Sequence, residues 1–206
     1  MTLTLLVKLF LGTLTTLQVS LIGVAIGTIG GICLGICTCQ KTNWRIFKIY
    51  ISVVRGTPLF VQLFLIYFAL PQITGLAISP FVAGALSLGI NSTAYVAEII
   101  RGGINAIPEG QWDACVSLGY TATQTFSYIV LPQTFRNVLP SLVNEFIALI
   151  KESSVLMIIG VAELTKVSKD IVSRELRPFE IYLLTALIYF VITSSIAYIA
   201  SKYEGE

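Results

Sequence analysis

The 206 residues are 55% hydrophobic and only 12% charged, about half the charged fraction of an ordinary soluble domain, so composition argues against a water-soluble fold. The net charge of +2 comes from dispersed basic residues, which speaks against a nucleic-acid partner. No histidine occurs, so the commonest general base and the commonest metal ligand are both missing. The chain reads as one membrane-embedded domain over residues 1–206.

At the N-terminal end a lone Lys8 precedes an apolar run reaching Cys39. The run is too long for a signal-peptide core and lacks a small-residue cleavage site, so a retained first span is expected over roughly 10–39. Its length implies tilt, or an extension beyond the bilayer. Gly23, Gly27, Gly31 and Gly35 recur every four residues, a ridge that lets another helix approach closely. That ridge fits either a subunit or gate interface or packing within one chain. Cys33, Cys37 and Cys39 are too close together to staple separate elements; with Cys115 the only other cysteine, a zinc site is poorly supported.

Four more apolar stretches follow, over roughly 58–75, 80–100, 136–160 and 180–201, each near the ~20 residues a bilayer core requires. The second is the shortest and ends at Pro71 or soon after. Lys41, Arg45, Lys48 and Arg55 crowd the first connection, whereas the connection from Pro71 to Pro80 has no charge. The positive-inside rule then puts the N-terminus outside, the C-terminus inside, and a long inner loop at 101–135, flanked by Arg101 and Arg136. The Val161–Phe179 connection falls outside, with Lys166, Lys169, Arg174 and Arg177 accompanied by Glu163, Asp170 and Glu175.

Ionisable groups at membrane depth are costly and tend to face protein or water. Glu98 and Arg101, spaced i,i+3, read as a local ion pair. The fourth span is interrupted by Asn144, Glu145, Lys151, Glu152, Ser153 and Ser154. Glu145 and Glu152, seven apart, share a face and with Lys151 are candidates for lining a polar solute's path; the alternative is mutual neutralisation inside a bundle.

The inner loop has helix grammar of its own. Trp112, Cys115, Val116 and Gly119 fall on one face at three-to-four spacing, and Gly119 can end that short helix. Thr121 and Gln124 have capping-box spacing for a second helix, which Pro132 is expected to limit. Two short helices outside the membrane, one with an apolar face, suggest a docking surface.

The loop reads Asp113-Ala114-Cys115, three residues, Gly119, nine residues, Ile129-Val130-Leu131-Pro132. This resembles the EAA loop of ABC-importer permeases, with Asp113 in place of Glu and Cys115 in place of the second Ala. The strings Arg55-Gly56-Thr57-Pro58-Leu59, Glu98-Ile99-Ile100-Arg101-Gly102-Gly103, Pro108-Glu109-Gly110-Gln111 and Leu131-Pro132-Gln133 resemble the polar amino-acid uptake branch. Lys151-Glu152-Ser153-Ser154 is similar to the Lys-Asp-Thr-Ser string of that branch. The resemblance implies an all-α type I permease of about five transmembrane helices in a bacterial cytoplasmic membrane. It also implies Asp113, Ala114, Gly119, Leu131 and Pro132 as residues coupled to a cytoplasmic ATPase dimer. A second permease subunit, identical or similar, and an extracytoplasmic solute-binding protein are the other implied partners. No Gly-x4-Gly-Lys-Ser/Thr string occurs, so ATP is expected on the partner ATPase, with no cofactor and no catalysis on this chain. An ATPase-independent channel, an ion-coupled secondary transporter or a purely structural membrane subunit would leave the docking loop without a task.

Overall fold

The computed structural model describes residues 3–39 and 45–204, which form helices and turns without a strand among them. Lys41, one of the basic residues of the first connection, lies outside the described residues. In chain order the elements are α1 (Leu3–Cys39), α2 (Arg45–Arg55), α3 (residues 59–74), α4 (Pro80–Asn105) and α5 (Glu109–Ser117). They continue with α6 (residues 122–152), a 3-10 segment (Ser153–Ile159), α7 (Leu164–Glu175) and α8 (Pro178–Glu204).

Every expected apolar stretch is helical. Leu3–Thr38 and Pro178–Lys202 are each long and apolar enough to cross a bilayer, and α2 with α3 forms a third apolar stretch bent by 104°. Helices α4 and α6 are more polar, because Asn91, Ser92 and Thr93 in one and Asn144 and Glu145 in the other interrupt the apolar pattern.

The glycine ridge of α1 packs inside the monomer, which decides between the two readings it allowed. A methyl group placed on Gly23 would meet Leu88, on Gly27 Ser92, on Gly31 Val96 and on Gly35 Ile100. Each step of four residues along α1 is matched by a step of about four along α4, so the two helices run parallel with backbones in near contact. A parallel pair requires the intervening chain to return, and α3 provides that return.

Packing also sorts the connections between two ends. At one end Leu9 of α1, Leu164 and Ile171 of α7 and Ile181 of α8 share a buried cluster. At the other, Val96, Ile100 and Ile104 of α4 pack with Ile107, Val130 and Val138, with Trp112 and Phe126 against them. The N-terminal end of α1 and the 161–179 connection therefore lie together, opposite the 101–135 segment.

Three expectations are corrected. Pro132 does not limit its helix: residues 122–152 run continuously through a π-helical segment, Thr125–Val130, immediately before Leu131-Pro132. The same device, Leu65–Ala69, precedes Leu70-Pro71 in α3. A proline ring clashes with the carbonyl four residues earlier in a regular α-helix, and a π turn moves that carbonyl aside. Second, the fourth apolar stretch is not one helix, since it tightens into 3-10 geometry at Ser153. Third, the 161–179 connection holds a helix of its own, α7. Its N-cap Glu163, read only as one of several loop acids, is fully buried.

Candidate functional site

The 109–121 segment is built to hold one face inward and present another. Glu109 sits in the first turn of α5, where a carboxylate favours the positive end of the helix dipole. The helix ends as expected. Gly119 adopts φ +81°, its amide donates to Val116 O at 3.0 Å, and Tyr120 N donates to Cys115 O at 3.0 Å. The next helix starts with the expected capping box: Thr121 N donates to Gln124 Oε1 at 2.9 Å and Gln124 N to Thr121 Oγ1 at 3.3 Å.

The anticipated apolar face is divided. Trp112 packs on the cluster of Ile104, Ile107 and Val130, and Cys115 is buried. Val116 instead points outward, 72% exposed, with Leu118 at 75%. At 100° per residue Val116 lies past the edge of the Trp112–Cys115 stripe, so the burial of those two turns it away. Asp113, Ala114 and Ser117 are exposed on the same outer surface. Gln133 Nε2 donates to Gln111 Oε1 at 2.7 Å and to Ile129 O at 2.9 Å, tying α5 to α6. Of the five residues expected here, Asp113, Ala114, Gly119 and Pro132 are exposed, while Leu131 is half-buried. A firmly seated helix with an outward acidic and apolar surface can carry a push from outside into α4 and α6.

Glu145 is half-buried in α6 beside Ser92 of α4, and Lys151 and Glu152 are exposed at the end of the same helix. Seven residues of helix separate the two acids, about 10 Å. Among the described residues, no ion pair within 4.0 Å joins Lys151 to either acid, so tight mutual neutralisation is not the arrangement. Glu98 and Arg101 do form the expected pair, with Arg101 Nε at 3.1 Å from Glu98 Oε2.

Two polar nodes escaped the sequence reading. At the 104° bend, Pro58 has no N–H for the carbonyl of Val54, its helical partner four residues back. Gln62, 8% exposed, replaces it: Nε2 donates to Val54 O at 2.7 Å, and Asn91 Nδ2 donates to Gln62 Oε1 at 3.2 Å. A glutamine inside Leu59–Phe64 and the Gly-Thr-Pro string were the available signals. The second node is Glu163. Its carboxylate accepts from Thr165 N at 2.8 Å and Lys166 N at 2.6 Å, and Tyr189 OH donates to it at 3.1 Å. Burial pushes its carboxyl pKa up, and these hydrogen bonds offset part of the rise. Thr16 of α1 closes the node by accepting from Leu164 N at 3.1 Å.

The description "binding-protein-dependent transport system inner membrane component" matches residues 27–203. The putative glutamine transport system permease protein of Rickettsia felis is 40% identical over 195 residues, 94% of this chain and 89% of that protein. The arginine transport system permease protein of Bacillus subtilis is 39% identical over 196 residues, again 94% and 89%. Among solved structures, an amino acid ABC transporter crystallised with histidines superposes with a TM-score of 0.91 at 42% identity, covering 96% of this chain and 92% of that one. With the short helix seated on α4 and α6 and a match across most of its length, this chain belongs to the family of inner membrane components of binding-protein-dependent transport systems.

Proposed function

We propose that this chain is the permease subunit of an ATP-driven importer for a polar amino acid in a bacterial cytoplasmic membrane. It works with a second permease, identical or similar, two cytoplasmic ATPase subunits and an extracytoplasmic solute-binding protein. The glutamine and arginine named for its relatives support the substrate class. The observation that carries the reading is the outer surface of α5, where Asp113, Ala114, Val116, Ser117 and Leu118 are exposed on a helix anchored from beneath by Trp112, Cys115 and Gln111.

In this mechanism ATP bound on the partner closes the ATPase pair and moves α5. Through Trp112 and the Gln111–Gln133 bond the movement reaches α4 and α6, which change access to a site between them. Leu131 and Pro132 begin the α-helical part of α6 just past the π segment, so they transmit the displacement along the helix. Glu145, Lys151 and Glu152 line the solute's route, where both signs of charge replace water lost by a zwitterion. This chain supplies no catalytic group; hydrolysis occurs on the partner.

Asp113→Lys tests the reading, because it reverses a charge on the exposed face without touching the buried one. The variant should reach the membrane at normal abundance and lose the ATPase on purification, or keep it with hydrolysis unlinked from uptake. Normal uptake with normal ATPase recovery would contradict the proposal.

A further inference from the structure

A pocket of about 530 Å³ opens between the last turn of α1, α2 and the C-terminal third of α4. Thr38, Lys48, Ser52, Arg55, Glu98 and Arg101 line it. Among its described lining residues three cations face one carboxylate, so these side chains carry an excess of positive charge even with Glu98 ionised. Glu98 does not collapse the arrangement. It lies 3.9 Å from Arg55 Nη1 while bonded to Arg101, and Arg55 also sits 5.3 Å from the Tyr95 ring centre. These contacts orient the Arg55 guanidinium, whose planar fork suits two oxygens of a phosphate.

Helix α2 supplies the second half of the argument. Its only charges are Arg45, Lys48 and Arg55, and Ile46, Ile49 and Val53 are 72%, 63% and 57% exposed. Ile51 and Val54 are buried against Ala94 and Ala97, and Tyr50 OH donates to Ile90 O at 2.7 Å, so the helix is fixed to α4. Basic charges beside an outward apolar face are the pattern of a helix lying in a membrane interface. With α3 entering the bilayer as the apolar pattern leads one to expect, the 104° turn between the two helices lays α2 nearly along the membrane surface.

We infer that this pocket binds the phosphodiester headgroup of an anionic phospholipid, with its acyl chains against Ile46, Ile49 and Val53. A soluble phosphate would use the cations but leave those side chains without an occupant, whereas a lipid uses both. The inference rests on the proposed function for its leaflet, the cytoplasmic one. A lipid held here would brace α4 a turn or two before it leads into α5.

The test is native mass spectrometry of the delipidated transporter complex, offered phosphatidylglycerol or phosphatidylcholine of equal acyl chains. Phosphatidylglycerol should be retained preferentially. Lys48→Gln and Arg55→Gln should each lower that retention roughly fivefold, the effect of one cation near an anionic surface. Arg55→Lys should keep most of it, and Lys169→Gln, an exposed position on α7 at the other end, should change nothing. Ser52→Phe, which fills the pocket without altering charge, should abolish the preference even if a charge variant folds poorly. Equal retention of the two lipids, or equal losses in Lys169→Gln and Arg55→Gln, would overturn the inference. Glycerol 3-phosphate displacing the lipid completely would reassign the site to a soluble anion. The readout is independent of transport: ATPase recovered without lipid preference refutes this inference alone, and lipid preference without ATPase refutes the importer reading alone.

Discussion

Gly119→Val isolates the geometry of α5 from everything else in the molecule. Gly119 stands at φ +81° after the last turn of α5, and a Cβ there would have no atom within 4 Å. Steric crowding is therefore absent, and the cost is the backbone conformation alone. Holding a β-branched residue in the left-handed region costs roughly 1–3 kcal/mol. At about 2 kcal/mol the frayed form of the helix end gains nearly 30-fold in population relative to the closed form. What frays are the bonds from Gly119 N and Tyr120 N to the last carbonyls, so Val116, Leu118 and Asp113 lose their fixed presentation. The buried bundle is untouched, and membrane abundance should be normal. Hydrogen exchange over residues 113–121 should quicken by about that factor, and ATP-driven uptake in proteoliposomes should fall with it. Gly119→Asn is the control, because asparagine enters the left-handed region readily, and it should retain most activity. If Val and Asn behave alike at equal abundance, the conformational argument is wrong.

Three other outcomes follow from the same geometry. Gly103→Ala should destabilise the purified protein by about 1–3 kcal/mol in thermal unfolding, since the new methyl would overlap Val138 of α6, while Gly102→Ala, facing open space, should be neutral or slightly stabilising. Glu163 has a folded pKa raised above its usual 4.5, so the folded state binds more protons than the unfolded one above that pH, and its contribution to stability falls as pH rises through the raised value. Glu163→Gln should remove this limb, and the difference between wild-type and variant melting curves across that pH range measures it. Glu152→Gln should fold in normal yield, because no Lys151 ion pair within 4.0 Å is lost, yet raise the transport KM about tenfold or more, as loss of a charge-assisted contact to a solute cation predicts.

The sequence made the parts that depend on local chemistry legible. The Gly119 stop, the Thr121–Gln124 capping box and the Glu98–Arg101 pair are written in short-range spacing, and each is where that spacing put it; the apolar stretches are helical, with the fourth tightening into 3-10 geometry at Ser153. What needed the tertiary structure depends on partners far away in the chain. Whether Gly23–Gly35 faced a subunit or the same monomer was undecidable until α4 lay along it. Pro132 misled because the π segment before it accommodates its ring, and a π segment is a backbone choice with no residue signature of its own; Pro140, inside the α-helical run, does not end it either. Val116 was grouped with Trp112 and Cys115 on one face by a three-to-four rule too coarse for a helix of nine residues, where one position of rotation separates 6% exposure at Cys115 from 72% at Val116. Gln62 and Glu163 were visible as polar letters in or beside apolar runs. Their roles became readable only with Pro58's missing N–H and the buried start of α7 in view.

The central claim is that the outer face of α5 meets the ATPase in the cytoplasm. A photo-activated cross-linker placed at Ala114, exposed on that face, tests it directly in whole cells. The account predicts one dominant adduct, to the ATPase subunit, whose yield changes when ATP is trapped against hydrolysis. Adducts to the extracytoplasmic binding protein, or none to the ATPase in a transporter that still imports its substrate, would contradict it.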